Sequence, residues 1–431
     1  MELLDPFVVR TLPDLTPEEY VARFREPDFG RNLDPRSLSR TLFETRENGA
    51  PVVPEIELPN PKLVGIAGAG LMGISIAAAF VEAGIPVVCR DPVPEALKSA
   101  PERLERELAA RRAFRGEPDS SADVSRAREL FNATSELRDL ASAEVVVETI
   151  PEKIKLKAKF YRELAALAPS PLLTLTNSSS LRVSELAEAL SPEPNAPISR
   201  ARFCAFHFFH PVARRPLVEV APGAETSSET LARAAALARR IGSTPIVVGD
   251  GPGLLVNRLL QAELNRALKA LDEGAPAARI ESVFSRLGFE APPLRVIDEI
   301  GCDVALRSGW SFLKAFPERT HVSEKLAELV REGRLGRKTG RGFYRHASPV
   351  PWASGSFLDD EFSANFAPDP KADADLARSV FAALLDEAKR VLDEGIARTY
   401  REIDAALVLA LGFPRQLGGI CYRALAVGEL P

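Results

Sequence analysis

The sequence predicts an α/β protein in which a doubly wound sheet domain is followed by all-α domains whose helical unit is duplicated. From Lys62 to about Asp250, short apolar runs alternate with helical patterns, as in a parallel sheet that is covered on both faces. From Pro252 onwards the spacing of apolar residues is helical, and two stretches of that region resemble each other. A chain of 431 residues with 45% hydrophobic residues can form two or three such cores.

Seven segments of the first region are predicted strands. Several of them are apolar throughout rather than alternating, which is typical of parallel strands buried on both faces. In chain order they are KLVGIAG, PVVCRD, AEVVVETI, LLTLTN, RFCAFHFF, PLVEVA and TPIVVGD.

The helical region contains an internal repeat. ALKALDEG at 267–274 corresponds to AKRVLDEG at 388–395, an offset of 121 residues, and IESVFSRLGF at 280–289 corresponds to IDAALVLALGF at 403–413. Such self-similarity predicts that one helical unit has been duplicated and that the two copies pack against each other.

These patterns divide the chain into four parts. Residues 1–60 are proline-rich and are interpreted as an extension or linker, with one helix start at the capping box Thr16–Glu19. The sheet domain is expected at 61–250 and the first helical domain at 251–346. A linker and the second helical domain occupy 347–431.

Composition and charge argue against several classes of protein. The formal net charge of -5 gives no reason to expect nucleic acid or an anionic membrane as a partner. The four cysteines are far apart and form no CxxC pair, which fits a reducing compartment and argues against a disulfide framework. No targeting signal or apolar run of membrane-helix length is found, so a soluble, cytoplasmic protein is expected.

A glycine-rich loop lies between the first predicted strand and the helix after it. In the pattern GxGxxG, Gly68 would make the turn, Gly70 would let the backbone approach a pyrophosphate, and Gly73 would permit close packing. Asp91 ends the second strand, where an acidic residue binds the ribose hydroxyls of NAD and repels the 2′-phosphate of NADP. We expect NAD; the alternatives are NADP, because Arg90 is adjacent, and glycines that serve only packing.

Two of the four histidines, His207 and His210, lie three residues apart in CAFHFFHPV. An isolated histidine in an apolar strand is often only a hydrogen-bonded core residue. Glu219, however, ends the next predicted strand, and antiparallel pairing would bring its carboxylate to the His207 imidazole, as a general base requires. Residues three apart in a strand face opposite sides and no third ligand is evident, so no metal site is expected.

Two further polar positions are candidates for the site. Asn177 to Ser180 follow the strand LLTLT at a carboxyl end, where open α/β sheets bind ligands; the alternative is a turn with a helix cap. Asn257 begins the helical region, and its local sequence by itself favours an exposed polar helix position.

Nine motifs between Lys62 and Tyr344 occur in the order of a known family. They are GIAGAGLMG, VVCRD, VVVETIPEKIKLK, TNSSSL, HFFHPV, PLVEV, DGPGLLVNRLL, IDEIGCDV and GRKTGRGFY. On these motifs the chain resembles the NAD-dependent 3-hydroxyacyl-CoA dehydrogenases, which implies a Rossmann-type, NAD-binding domain at 61–250. The tail from LLDEAKRVLDEG resembles the second helical unit of the multifunctional fatty-acid-oxidation α-subunits, so the chain is similar to their dehydrogenase half without the hydratase half.

The resemblance implies a role for each matching residue. His207 matches the base that takes the proton from the 3-hydroxyl, and Glu219 matches its carboxylate partner. Ser179 matches the serine that binds the substrate oxygen, and Asn257 matches the asparagine that helps to hold the substrate carbonyl. The implied cofactor-binding residues are Gly68, Gly70, Met72, Gly73, Asp91, Glu152, Lys157 and His210.

The chain departs from the family pattern at two positions. Where the family reads HFFNP, His210 replaces the asparagine near the nicotinamide, so an unusual cofactor affinity or pH dependence is expected. Leu409 replaces a tyrosine that is common in the related α-subunits, which puts an acyl-chain or CoA contact there in doubt.

The resemblance implies NAD-dependent oxidation of (S)-3-hydroxyacyl-CoA to 3-ketoacyl-CoA, in fatty-acid β-oxidation or related acyl-CoA metabolism. Two alternatives are a non-catalytic partner subunit that binds nucleotide or acyl-CoA, and a dehydrogenase of another 3-hydroxyacyl thioester in biosynthesis. A hydratase or thiolase is a possible partner. A monomer is favoured over a dimer, because a duplicated helical unit can satisfy within one chain the surface through which simple family members dimerise.

Overall fold

The computed structural model describes residues 59–117, 121–350, 352–364, 366–414 and 417–426. These residues form two compact units. The sheet unit extends to Leu255 and includes Gly395–Arg398, whereas the helical unit contains Val256–Glu394 and continues from Thr399. The predicted helix start at Thr16–Glu19 lies outside the described residues. The division of the helical part into two domains near residue 346 stays a prediction.

In the described part of the sheet unit, eight strands form one sheet. They are β1 Val64–Ala67, β2 Val87–Arg90, β3 Phe131–Thr134, β4 Val145–Glu148, β5 Leu173–Thr176, β6 Phe203–Phe208, β7 Leu217–Pro222 and β8 Thr244–Val247. Their order across the sheet is β3-β2-β1-β4-β5-β6-β7-β8. Neighbouring strands are parallel except β6 and β7, which are antiparallel. The doubly wound α/β fold expected from the sequence is therefore confirmed.

Helices connect and cover these strands. Those of the described sheet unit are α1 Leu71–Glu82, α2 Pro94–Phe114, α3 Ser121–Leu130, α4 Leu137–Ala141, α5 Ile154–Leu167, α6 Val183–Ala187 and α7 Ser228–Arg240. In α1 every residue from Gly73 to Val81 is buried, because the sequence GISIAAAFV is apolar or small on all sides of the helix.

All seven predicted strands are present, but β3 was not predicted from the sequence. Its residues, FNAT, are partly exposed, since β3 has a neighbour on one side only, at the edge of the sheet. A short edge strand needs neither an apolar run nor a clean alternation, so its sequence carries little signal.

The helical unit begins with α8. Its described α-helices are α8 Val256–Asp272, α9 Ala277–Leu287, α10 Pro293–Ile300, α11 Cys302–Ala315, α12 Glu324–Arg331, α13 Pro370–Asp393, α14 Tyr400–Ala405 and α15 Ile420–Ala426. Two short antiparallel strands, β9 Tyr344–His346 and β10 Ser356–Leu358, lie between α12 and α13. Across the described segments of both units, no helix combines the length and apolarity needed to cross a bilayer.

The two copies of the repeat contact each other through equivalent residues. Arg258 on α8 donates through Nε to Glu387 on α13, and Arg266 on α8 donates through Nε to the Ser379 hydroxyl on α13 at 2.8 Å. With the offset of 121 residues, Arg258 is equivalent to Ser379 and Arg266 is equivalent to Glu387. The repeat therefore relates the positions of the first contact, Arg258 and Glu387, to those of the second, Ser379 and Arg266, and each contact is exchanged with the other. A two-fold axis relates the contacts of a dimer interface in the same way.

The ends of the second repeat segment meet in the same way. Phe289 and Phe413 both close the sequence LGF, one in each copy, and their rings meet edge to face with centroids 5.4 Å apart. The N–H of Glu290 also donates to the carbonyl of Gly412 at 3.0 Å. The predicted packing of the two copies against each other is thus confirmed.

Candidate active site

The glycine loop has the three properties that a pyrophosphate site requires. Gly68 has a φ of 107°, and a Cβ there would lie 2.8 Å from Thr149 Oγ1. A Cβ on Gly73 would lie 1.8 Å from the carbonyl oxygen of Gly68, so the helix and the strand approach as closely as glycine allows. A Cβ on Gly70 would meet no atom within 4 Å, so this backbone faces open space. The loop residues therefore fit a dinucleotide, with the phosphates at the N-terminus of α1.

Asp91 lies directly beside this loop. Its Oδ2 accepts the N–H of Ala69 at 2.8 Å, and its Oδ1 accepts the N–H of Val93 at 2.9 Å. The carboxylate is thus fixed at the end of β2, the position from which an acidic residue reaches a ribose. Arg90 instead donates through Nε to the carbonyl of Ser135 at 3.1 Å. Met72, half-buried in the first turn of α1, follows the loop.

His207 and Glu219 form the hydrogen bond that the antiparallel pairing predicted. The two residues are directly opposite each other on β6 and β7. His207 Nδ1 lies 2.7 Å from Glu219 Oε2, and the two residues are 5% and 0% exposed. Glu219 Oε1 accepts the N–H of Leu255 at 2.9 Å, and the rings of His207 and Phe209 pack edge to face with their centroids 4.6 Å apart. Held on both oxygens, the carboxylate fixes the orientation of the imidazole.

The serine loop is organised around Glu152. A single oxygen, Oε1, accepts the Ser178 hydroxyl at 2.5 Å and the N–H groups of Ser179 and Ser180 at 3.1 and 2.9 Å. Burial acts to raise the pKa of Glu152, but the Lys157 ammonium and the serine donors outweigh it and hold the pKa below its usual value. Glu152, predicted as a cofactor contact, therefore shapes the loop that carries Ser179.

Asn177 joins the serine loop to the histidine strand. Its Oδ1 accepts the N–H of Phe208 at 2.9 Å, one residue after His207. Its own N–H donates to the carbonyl of Glu148 at the end of β4. Sequence reasoning placed Asn177 at this edge of the sheet but did not identify its contact with β6.

Lys157, in the first turn of α5, forms a buried ion pair with the end of β4 and the segment that follows it. Its Nζ is 2.6 Å from Glu148 Oε1, 3.2 Å from Glu152 Oε2 and 3.2 Å from the carbonyl of Ile150. These three partners match the three hydrogens of an ammonium group. Glu148 also accepts the hydroxyl of Tyr161 at 2.9 Å. A cofactor contact of Lys157 stays a prediction, and this network supports the serine loop through Glu152.

His210 and Asn257 are placed differently from the buried pair. Strand β6 ends at Phe208, so the alternation of strand faces does not extend to His210, and that part of the sequence argument was wrong. His210 is half-buried in the following turn, before a cis bond to Pro211. Asn257 is the second residue of α8 and is half-buried in the helical unit. Within the described ranges, no three His, Cys, Asp or Glu side chains are grouped for a metal ion.

Two family models match the chain. The NAD-binding domain of 3-hydroxyacyl-CoA dehydrogenase matches residues 63–251, and the C-terminal domain of the same family matches 253–346. The fatty acid oxidation complex subunit alpha of Vibrio campbellii is 32% identical over 398 residues, which are 90% of this chain and 54% of that relative. The corresponding subunit of Shewanella baltica is also 32% identical, over 82% of this chain and 49% of the relative. The chain thus spans about half the length of these curated relatives.

Solved structures extend the comparison. The (S)-3-hydroxybutyryl-CoA dehydrogenase PaaH1 from Ralstonia eutropha is 31% identical, with a TM-score of 0.60 over 67% of this chain and 100% of that chain. The 3-hydroxybutyryl-CoA dehydrogenase from Escherichia coli K12 is 23% identical, with a TM-score of 0.68 over 86% and 95% of the two chains, a likeness of fold alone. With the glycine loop and both domain matches, these findings lead to one conclusion: the chain belongs to the 3-hydroxyacyl-CoA dehydrogenase family and carries its NAD-binding domain.

Proposed function

We propose that this chain oxidises (S)-3-hydroxyacyl-CoA to 3-ketoacyl-CoA, reversibly and with NAD. The observation that carries the proposal is the buried hydrogen bond between His207 and Glu219, because the reaction needs a fixed base for the 3-hydroxyl proton. NAD, when bound, supplies the acceptor for the hydride that leaves C3 of the substrate.

His207 acts as the general base. With Glu219 ionised, Nδ1–H of His207 donates to the carboxylate, and Nε2 accepts the proton of the 3-hydroxyl as the C3–O bond becomes a carbonyl. Glu219 stabilises the resulting imidazolium, and the Leu255 N–H keeps the carboxylate in place. A base positioned in this way contributes about 10²–10⁴-fold to the rate.

The serine hydroxyl and the asparagine amide are the proposed donors to the substrate oxygens. Ser179 is half-buried in a loop that Glu152 and Asn177 hold from two sides, which supports a fixed direction for its hydroxyl. Asn257 is proposed on the family pattern, as a donor that helps to hold the substrate carbonyl. Fixed donors of this kind stabilise negative charge as it develops on oxygen. His210 is kept as a proposed neighbour of the nicotinamide.

We further propose that the chain is a monomer in the cytoplasm that works with a hydratase or a thiolase. The names of the relatives, subunits of a fatty acid oxidation complex, support such partners. The exchanged contacts between the two helical copies support a monomer, since they use within one chain a surface that is typical of a two-fold dimer. The four cysteines are buried free thiols, which supports a reducing compartment. A dimer mass in light scattering at micromolar concentration would contradict the monomer.

The activity is tested by following the absorbance of NADH with 3-hydroxyacyl-CoA substrates from short to long chains. The same acyl groups on an acyl-carrier protein form the second arm of the experiment. Turnover of the CoA series supports the proposal, and the chain length with the highest kcat/KM identifies the substrate. Turnover of the carrier series alone, or none with either, would contradict it.

A further inference from the structure

The glycine loop is held between two side chains of opposite charge. The peptide group of Ala69 lies between Gly68 and Gly70, and its N–H donates to Asp91 Oδ2 at 2.8 Å. At the other end of that residue, the carbonyl oxygen accepts Nη1–H of Arg103 at 2.6 Å. Arg103 lies on α2, twelve residues after Asp91, and is half-buried. The loop therefore has a fixed carboxylate on one side and a fixed guanidinium on the other.

From this arrangement we propose that Arg103 binds the 2′-phosphate of NADP(H), so that the nucleotide site accepts both NAD(H) and NADP(H). An acidic residue at the end of the second strand binds the 2′-hydroxyl of the adenosine ribose, and an arginine nearby accommodates a 2′-phosphate. This chain has both groups on one residue of the loop, Ala69. The proposal concerns nucleotide binding alone and does not depend on the dehydrogenase chemistry.

The guanidinium of Arg103 keeps donors for a ligand. A guanidinium has five N–H hydrogens, and within the described residues Arg103 makes no hydrogen bond or ion pair besides the one to Ala69. Its half-buried position and the bond to the loop carbonyl limit its freedom, so little further ordering is needed to bind a phosphate. Two of the remaining hydrogens suit the bidentate geometry in which arginine binds phosphate oxygens.

Asp91 repels a phosphate less strongly than an isolated carboxylate would. Each of its oxygens accepts a backbone N–H, from Ala69 and Val93, and these donors partly offset its negative charge. The Asp91 and Arg103 side chains bond to opposite ends of the same loop residue, Ala69, which places the two charges in the same small region of the loop. The neighbouring Arg90 is the weaker candidate, because its Nε is bonded to the carbonyl of Ser135.

The test compares the dissociation constants of NADH and NADPH for the 431-residue chain, by nicotinamide fluorescence and by calorimetry. We expect the unsubstituted chain to bind NADPH within about 100-fold of NADH, since a carboxylate without a nearby cation would cost more. Arg103→Met should raise the dissociation constant of NADPH by about tenfold or more and that of NADH by less than about threefold. This difference is expected for the loss of charge-assisted hydrogen bonds to one phosphate. Adenosine 2′,5′-bisphosphate and ADP give the same comparison without the nicotinamide.

Three further variants make the result decisive. Arg106→Met removes an arginine of the same helix that is 67% exposed, and it should change neither constant. Arg103→Lys keeps a cation at the loop and should retain much of the NADPH affinity if the methionine variant does not fold. Arg90→Met should leave the ratio of the two constants unchanged. Equal losses for both cofactors in Arg103→Met, a loss of NADPH only in Arg90→Met, or no NADPH binding at millimolar concentration would each overturn the proposal.

Discussion

Glu219 holds the imidazole of His207 through a 2.7 Å hydrogen bond between directly paired positions of two antiparallel strands. Both side chains are almost fully buried, and the second oxygen of Glu219 is bound by the N–H of Leu255. A surface histidine with a mobile carboxylate neighbour would leave both nitrogens equally accessible. Here the strand register decides which nitrogen faces the carboxylate and which is left for a substrate.

Substitution of His207 by glutamine should lower kcat by about 10²–10⁴-fold, because the amide is no base for the 3-hydroxyl proton. The dissociation constant of NADH should stay within about threefold of the original value, because no cofactor role is assigned to His207. Steady-state rates and fluorescence titration measure the two quantities. His321→Gln is the matched control, since His321 is bonded to Asp272 in the helical unit. A His207→Gln variant with near-full turnover would refute the assignment.

Substitution of Glu219 by glutamine tests the orientation of the ring. The amide can donate to Nδ1 and so favour the tautomer with its hydrogen on Nε2, which cannot accept the substrate proton. We expect kcat to fall by about 100-fold or more while NADH binding is retained. Glu219→Asp keeps the charge but has a shorter side chain, so its kcat should lie between those of the original chain and the glutamine variant. Equal rates for the glutamine variant and the original chain would show that the pair is only structural.

The bond between Glu152 and the serine loop predicts that Glu152 and Ser179 are coupled in catalysis. Ser179→Ala should lower kcat by about tenfold, as expected for loss of one hydrogen bond to the reacting oxygen. Glu152→Gln should lower it as well, because one oxygen that accepts several serine donors loses its charge. In the double variant the loss of kcat, expressed as a free energy, should be smaller than the sum of the losses in the two single variants. Independent, additive effects would mean that Glu152 does not act through the loop.

Local patterns predicted much of this site, and contacts between distant segments account for what they missed. The glycine loop follows from spacing within one turn, and the contact of His207 with Glu219 follows from the antiparallel pairing expected of two consecutive strands. Arg103 and Leu255 act on groups 34 and 36 residues away in the chain, and such contacts depend on tertiary packing. Every residue except proline carries a backbone N–H, so the residue type at position 255 does not indicate that the N–H of Leu255 is the donor.

Two equivalent buried acids give the helical unit a dependence on pH. Glu281 and Asp404 occupy matching places in the repeat, and each accepts backbone N–H groups at the start of a later helix, at Leu294 and at Cys421. Burial raises the pKa of Glu281 to about 7, against the lowering effect of its hydrogen bonds. Burial likewise raises the pKa of Asp404 to about 7, opposed by the N–H groups of Cys421 and Tyr422. Near neutral pH the two carboxyls are therefore partly protonated in the folded chain.

The sign of the effect on stability follows from these raised values. The folded chain binds each proton more tightly than the unfolded chain does. The contribution of each acid to the free energy of unfolding is therefore complete below about pH 4 and is lost as the pH rises through about 7. Urea unfolding between pH 5 and pH 8 should show a decline that amounts to a few kcal/mol at most. Asp404→Asn should make the decline shallower, whereas Asp360→Asn, at a carboxyl that is 88% exposed, should not. A decline of the same size in both variants would contradict this origin.

The exchanged contacts of the repeat join equivalent positions but differ in chemistry, which predicts unequal energies. Arg258 is 1% exposed and pairs with Glu387 and Glu394, whereas the equivalent contact joins Arg266 to the neutral hydroxyl of Ser379. Glu387→Gln leaves a buried guanidinium with only part of its counter-charge, and it should lower the free energy of unfolding by about 2 kcal/mol or more. Ser379→Ala removes one neutral acceptor and should cost less than about 1 kcal/mol. Urea unfolding of the two variants at one pH measures the difference. Equal costs would mean that the ion pair adds nothing beyond the packing of α8 on α13, and that the two halves of the repeat interface are energetically alike.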